Sequence, residues 1–254
     1  MDGFTAMDLM ESFFRWFHIF FGILWIGLLY FFNFVNAPFA ATMDGDTKKK
    51  VVPELMPRAL FWFRIGALFT WATGLLLLMM VFYHTRYVLE SGNTWSVGAV
   101  IALLVTFFGV FIYDALAKAV KNPKVMAVVG FGLIAAALCI FKDLGGFSYR
   151  GYVIHLGAML GTIMAFNVWF RIWPSQKQII TAVKNGQAPD AAVVALAGLR
   201  SRHNTFLSVP LVWMMIDTHT TYLAAYPWSV LVVVAIGWMV TKQLYSRAGK
   251  VKGF

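Results

Sequence analysis

Histidine is the residue type in this sequence best suited to chemistry, and four of the five histidines lie near corresponding ends of apolar segments. His18 and His155 lie about one and a half turns inside the first and fifth segments, whereas His84 and His219 end the second and sixth. Successive spanning helices alternate in direction, so these four ends are predicted to lie on one side of a membrane. An ionisable residue at membrane depth is costly and usually faces the bundle interior, where it pairs with or ligates something.

Imidazole is a ligand for haem iron, copper and zinc. His18 and His155 are the stronger haem-ligand and metal-ligand candidates because they lie within spans. His84 and His219 lie at the water boundary, where they are candidates for second ligands, proton transfer or substrate contact. The alternative is that these histidines only form hydrogen bonds between helices or lie at the membrane interface.

Small residues follow both inner histidines, with Gly22 on the first span and Gly157 on the fifth. A porphyrin needs flat space between helices, and glycine provides it, although glycines at such spacing also allow plain close packing of helices. Arg64, in the second span, has three candidate roles: snorkelling to the interface, pairing with Asp114, and holding a haem propionate.

The elements that position these residues are predicted to be transmembrane helices. The chain has 254 residues, of which 60% are hydrophobic and only 13% charged, and a spanning helix needs about 20 mostly apolar residues. We predict an all-α, polytopic bundle that forms a single domain, 1–254, with seven spans at 12–38, 59–84, 94–116, 125–141, 149–172, 204–222 and 227–246. The longest connection, 173–203, contains an Ala/Val/Leu pattern from Ala191 to Leu199 that suits a surface helix or a plain connector.

The distribution of basic residues predicts the orientation. With the N-terminus outside, sixteen lysines and arginines fall in cytoplasmic segments. Four remain outside, namely Arg15, Arg86, Lys142 and Arg150. Such a bias is typical of cytoplasmic loops and predicts an outside N-terminus and an inside C-terminus in a bacterial inner membrane. The net charge of +10 is therefore explained by topology and lipid contact, without nucleic acid.

Other classes of protein receive less support. The single cysteine, Cys139, excludes an internal disulfide and a CxxCH site for covalent haem. A retinal protein needs a lysine in the middle of its last span, where this chain has Trp238, with Lys242 near the end. A transporter remains an alternative, although the sequence shows no inverted repeat or pair of broken helices.

Two stretches carry a resemblance to a known family. Residues 15–39 read RWFHIFFGILWIGLLYFFNFVNAPF and residues 202–219 read RHNTFLSVPLVWMMIDTH. The first resembles the opening helix of the membrane-integral urate oxidase (urate hydroxylase) family, and the second resembles a later helix of that family. The first helix is also similar to that of the haem-binding protoporphyrinogen oxidase family, in which a histidine precedes a tryptophan and a glycine at similar spacing.

The resemblance implies a membrane oxidoreductase of purine degradation with one or two haems b. It would oxidise urate or a similar small purine, with His18 and His155 as ligands and His84 and His219 as catalytic groups. In that family the membrane domain precedes a cytochrome c domain, and because this sequence ends at Phe254 we expect the membrane domain only. Electrons would then pass to a separate cytochrome c or respiratory-chain subunit. Two alternatives stay open: copper in place of haem, and a non-catalytic haem-bearing electron-transfer or assembly subunit.

Overall fold

The computed structural model describes residues 5–85 and 87–252, so that Arg86, one of the four basic residues assigned to the outside, lies beyond them. These residues fold into seven long helices. They are α1 (Ala6–Thr42), α2 (Gly45–Tyr83), α3 (Val97–Ala119), α4 (Pro123–Leu144), α5 (Tyr149–Lys184), α6 (Ala191–Ile216) and α7 (Ser229–Ala248). Within the described ranges the only β pairing is one isolated antiparallel bridge between Leu89 and Phe147. The predicted all-α class is confirmed.

Six of these helices are long and apolar enough to cross a membrane. The seventh, α6, is 26 residues long and contains Arg200, Arg202 and Asn204 in its middle. The chain is therefore a multi-pass membrane protein. Its orientation stays a prediction from the distribution of charge.

The helices extend beyond the predicted spans. The α1 helix runs to Thr42 and α2 begins at Gly45, so helices occupy most of the first predicted connection. The pattern from Ala191 to Leu199, expected as a separate surface helix or connector, forms the first part of α6. Hydropathy marks only the stretch that suits lipid, whereas backbone hydrogen bonding continues into polar sequence wherever propensity allows.

Four π-helical turns interrupt or end these helices: Phe31–Asn36, Leu78–Tyr83, Ile140–Leu144 and Val168–Ile172. The first and last of them stand just before Pro38 and Pro174, at the start of the next α-helical segment. Proline has no N–H to continue the regular ladder, so the turn before it widens locally. The other two end α2 and α4. The one at Leu78–Tyr83 includes Tyr83, whose hydroxyl contacts His155.

Cα packing divides the chain into two compact units. Unit 1 comprises 1–73, 164–206 and 239–254, and unit 2 comprises 74–163 and 207–238. The core of unit 1 contains Trp25, Leu60 and Phe63, whereas that of unit 2 contains Phe141 and Leu156. His18 belongs to unit 1, and His84, His155 and His219 belong to unit 2.

Candidate functional site

The His18 side chain is held by the neighbouring helix through one ring nitrogen only. Its Nδ1 lies 2.9 Å from the backbone carbonyl oxygen of Thr70 and 3.3 Å from the side-chain hydroxyl of Thr73, one turn further along α2. A carbonyl oxygen only accepts, so Nδ1 carries the proton and the lone pair is on Nε2. Among the described residues no hydrogen bond engages Nε2. Metal-binding histidines are commonly oriented in this way: the ring nitrogen that does not bind the metal donates its proton to a carbonyl oxygen.

The same face of α1 provides space and a second polar group. Gly22 and Trp25 follow His18 by four and seven residues, so all three lie on one side of the helix. A Cβ added at Gly22 would meet only the Thr70 methyl group, at 3.8 Å. Trp25 is 2% exposed, and its indole N–H has no hydrogen-bond acceptor in the part of the chain that the structure describes. A buried donor of this kind indicates a missing acceptor.

His155 is bound through both ring nitrogens. Its Nδ1 lies 2.7 Å from the carbonyl oxygen of Gly151, and its Nε2 lies 2.7 Å from the hydroxyl of Tyr83. The ring is fully buried, and its centroid lies 4.7 Å from that of Phe147. Ligation through Nε2 of His155 therefore requires the Tyr83 hydroxyl to move away. Ligation through Nε2 of His18 would displace no hydrogen-bond partner among the described residues. The ligand role of His155 stays a prediction.

A short backbone pairing in unit 2 sets the position of His155. The N–H of Ser148 donates to the Val88 carbonyl at 2.8 Å, and the N–H of Glu90 donates to the Gly146 carbonyl at 3.0 Å. Gly146 has φ +63°, which few other residues adopt without strain. A Cβ at Gly151 would lie 2.1 Å from the Val88 carbonyl oxygen, so only glycine allows this approach.

The Tyr83 hydroxyl is expected to stabilise the folded protein through His155. Changing Tyr83→Phe leaves the buried Nε2 without a donor, which should lower the free energy of unfolding by about 1–3 kcal/mol. The midpoint of thermal unfolding in detergent measures this, with Tyr87→Phe as the control because Tyr87 is 51% exposed. Equal midpoints for the two variants would show that the Tyr83 bond contributes nothing.

The two outer histidines predicted as catalytic are exposed. His84 directly follows the π-helical end of α2, and His219 lies in a 3₁₀ turn, Asp217–His219, after α6. Neither imidazole has a hydrogen bond to any residue within 5–85 and 87–252. Exposure suits substrate contact or exchange of protons with water, and their catalytic role stays a prediction.

The remaining predicted residues have packing contacts. A Cβ at Gly157 would meet the Met215 methyl at 2.8 Å and the Met214 Cβ at 3.2 Å, so Gly157 allows close approach of α5 and α6. Arg64 places its guanidinium 3.6 Å from the ring centroid of Trp173, a cation–π contact. Its Nε donates to the Leu60 carbonyl at 3.2 Å. Asp114, a predicted partner of Arg64, forms an ion pair with Lys118 at 2.8 Å.

Several buried polar contacts were not foreseen. Asn204 accepts a hydrogen bond from Asn167 at 2.8 Å and donates to the Met164 carbonyl at 2.9 Å. Arg200, assigned to a cytoplasmic segment, is fully buried and donates to Asn167. Hydrogen bonds between polar side chains at helix interfaces stabilise membrane helix bundles, and we infer this role for these contacts. The polar stretch of α6 could have indicated such a role.

The donor set is compatible with haem. No three His, Cys, Asp or Glu side chains within the described ranges converge as ligands for a metal ion. A haem iron needs only one or two axial ligands from the protein. His18 with its available Nε2, the space at Gly22 and the unsatisfied N–H of Trp25 fit a haem better than a copper or zinc centre with several protein ligands.

The helices define a multi-pass helical membrane protein, and its His18 imidazole has a hydrogen bond at Nδ1. Comparison with known families is more specific: the model of the family described as "Urate oxidase N-terminal" matches residues 4–253. The chain belongs to this family of urate oxidase-like membrane proteins. No curated protein and no solved structure matches it.

Proposed function

We propose that this chain is a haem-b-containing oxidoreductase of a bacterial inner membrane that oxidises urate or a similar small purine. Electrons leave to a separate cytochrome c or another respiratory-chain subunit. The observation that carries the proposal is His18, whose Nδ1 is fixed by the Thr70 carbonyl and whose Nε2 is available. Family membership supports the urate oxidase type of activity.

Each residue of the His18 face has a distinct task. His18 holds the haem through Nε2, and the Thr70 carbonyl keeps the ring in the tautomer that ligation needs. Gly22 leaves room beside the ligand, and the Trp25 N–H is a donor for a haem carboxylate. Haem supplies the electron-transfer chemistry, whereas the protein orients it and excludes water. His84 and His219, both exposed, are the groups for exchanging protons released by the substrate.

The test is a reduced-minus-oxidised absorption spectrum of the detergent-purified full chain, with urate as the only reductant. We expect a b-type spectrum that develops when urate is added. A haem that dithionite reduces but urate does not would instead favour the non-catalytic electron-transfer subunit. Folded protein without haem would overturn the proposal.

The space at Gly22 is expected to be necessary for haem. A leucine there extends from the α1 face that carries His18, where its Cβ meets only the Thr70 methyl group at 3.8 Å, so Gly22→Leu should lose most of the bound haem. Gly27→Leu is the matched control, because a Cβ at Gly27 meets nothing within 4 Å and the residue is exposed. Haem content per protein, from a pyridine haemochrome assay, measures the effect, and equal haem content in both variants would contradict it.

A further inference from the structure

Two cations of unit 1 lie against one indole ring, where α2 packs on α5. The guanidinium carbon of Arg64 lies 3.6 Å from the ring centroid of Trp173 and 5.5 Å from that of Trp169. The ammonium group of Lys177, one turn further along α5, lies 5.8 Å from the same Trp173 centroid. An indole face attracts cations but has no net charge, so it does not neutralise either of them.

Neither cation has an acidic partner in the part of the chain that the structure describes. Every ion pair within residues 5–85 and 87–252 joins other side chains. A guanidinium has five N–H donors, and the Nε–H of Arg64 donates to the Leu60 carbonyl at 3.2 Å. For the two terminal nitrogens of Arg64 these residues provide no hydrogen-bond acceptor. Since an unpaired charge at membrane depth is costly, these donors indicate an anionic partner.

A third donor lies at the same place. The indole nitrogen of Trp169 is buried, and no residue within the described ranges accepts its N–H. Trp169, Trp173 and Lys177 are spaced four residues apart, so they share one face of α5. Arg64 meets this face from α2. Two cations and an N–H form a donor set that suits phosphate, which offers both negative charge and several acceptor oxygens.

Arg64 is on a different face of α2 from the residues that contact the His18 site. Gly66 packs against Trp25, and the Thr70 carbonyl holds His18. At 100° per residue, Gly66 and Thr70 are about 120–160° around the helix from Arg64. A haem carboxylate beside His18 would therefore be on the other side of α2, and the anion at Arg64 must be a separate one.

The surroundings of these donors match a lipid headgroup region. Leu68, one turn from Arg64 on α2, is 41% exposed, and Phe170 on α5 is 61% exposed. In the predicted topology, Leu68 lies deeper in the bilayer than Arg64, whereas Lys177 lies closer to the cytoplasmic water. Cations and indoles at headgroup depth, next to exposed apolar side chains, complement the polar and apolar parts of a phospholipid.

We propose that Arg64, Lys177 and Trp169 form a binding site for the phosphodiester group of an anionic phospholipid in the cytoplasmic leaflet. Arg64 and Lys177 bind the phosphate oxygens, and the Trp169 N–H donates a further hydrogen bond. Trp173 orients the guanidinium through its ring face. The acyl chains lie along the exposed apolar side chains next to the site. This site depends neither on haem nor on oxidation of a substrate.

The test is binding of dioctanoyl phosphatidylglycerol to the full chain in an uncharged detergent, titrated by native mass spectrometry. Wild type should bind it at least tenfold more tightly than inorganic phosphate or dioctanoylglycerol, which lacks the phosphate. Arg64→Gln should weaken binding about tenfold or more, and Trp169→Phe and Lys177→Gln about fivefold each. Arg58→Gln is the matched control, because Arg58 pairs with Glu54 and its side chain is 72% exposed.

Two of these variants keep the proposal testable if Arg64→Gln fails to fold. Trp169→Phe retains an aromatic ring, and Lys177→Gln changes an exposed side chain. Wild-type affinity for phosphatidylglycerol in both of them would overturn the site. Equal weakening in Arg58→Gln would show only general surface charge and would also overturn it. Equal binding of dioctanoylglycerol would show that the acyl chains alone are recognised, with the same consequence.

Thermal unfolding and haem content separate this role from two others. Phosphatidylglycerol should raise the wild-type midpoint of unfolding and raise that of Trp169→Phe less. A merely structural indole would lower the midpoint without lipid and leave the lipid-induced rise unchanged, which would overturn the proposal. Haem content should be equal in wild type and Arg64→Gln. Loss of haem with unchanged lipid affinity would assign Arg64 to a haem carboxylate instead.

Discussion

Replacing His18 by alanine is expected to remove haem from the purified protein while leaving it folded. The change deletes an imidazole whose Nδ1 is fixed by a carbonyl and whose Nε2 is available, so that haem loses its ligand. Because His18 is only partly buried, the cavity created is a minor cost compared with a core deletion. A pyridine haemochrome assay gives the haem content, and the midpoint of thermal unfolding reports the fold.

The other histidines are the controls for this result. His84→Ala and His219→Ala should retain haem, because both rings are exposed, even where urate no longer reduces that haem. Full haem content in His18→Ala would contradict the assignment. Loss of haem in His155→Ala with an unchanged midpoint would make His155 a second ligand, which requires Tyr83 to release Nε2.

Gly151→Ala is expected to destabilise unit 2 strongly. The new Cβ would lie 2.1 Å from the Val88 carbonyl oxygen and 3.0 Å from its carbon, and this carbonyl accepts a hydrogen bond from Ser148. A backbone carbonyl cannot move aside as a flexible side chain can. The free energy of unfolding should therefore fall by about 3 kcal/mol or more, the upper end for overpacking. The shift would also displace the Gly151 carbonyl from His155.

Gly132→Ala is the matched control for Gly151→Ala. Gly132 lies inside α4, is exposed, and a Cβ there meets nothing within 4 Å. Alanine favours a helix interior over glycine by about 1 kcal/mol, so this variant should be as stable as wild type or more stable. Midpoints of thermal unfolding in detergent compare the two, and similar midpoints would refute the close approach of Val88 to Gly151.

Sequence reasoning identified His18 and Gly22 but missed the hydrogen-bond partner that orients His18. The partner of His18 is the carbonyl of Thr70, 52 residues away, and a backbone carbonyl has no signature in a sequence. Tyr152 and Tyr149 lie three and six residues before His155 on a helix, a spacing that predicts a shared face. This spacing is visible in the sequence, but it does not identify Asp217 as the hydrogen-bond acceptor of Tyr149.

The sequence by itself determined the helical class, the membrane setting and the family. Apolar runs of about 20 residues leave the backbone no partners except its own, so the element type follows from composition alone. Only the tertiary structure decided which ring nitrogens and hydroxyls already have a hydrogen-bond partner. Tyr83 meets His155 across 72 residues of chain and Tyr149 meets Asp217 across 68, so the bonding of each depends on how helices pack. Two histidines that look equivalent in sequence differ for this reason: packing occupies both nitrogens of His155 and one of His18.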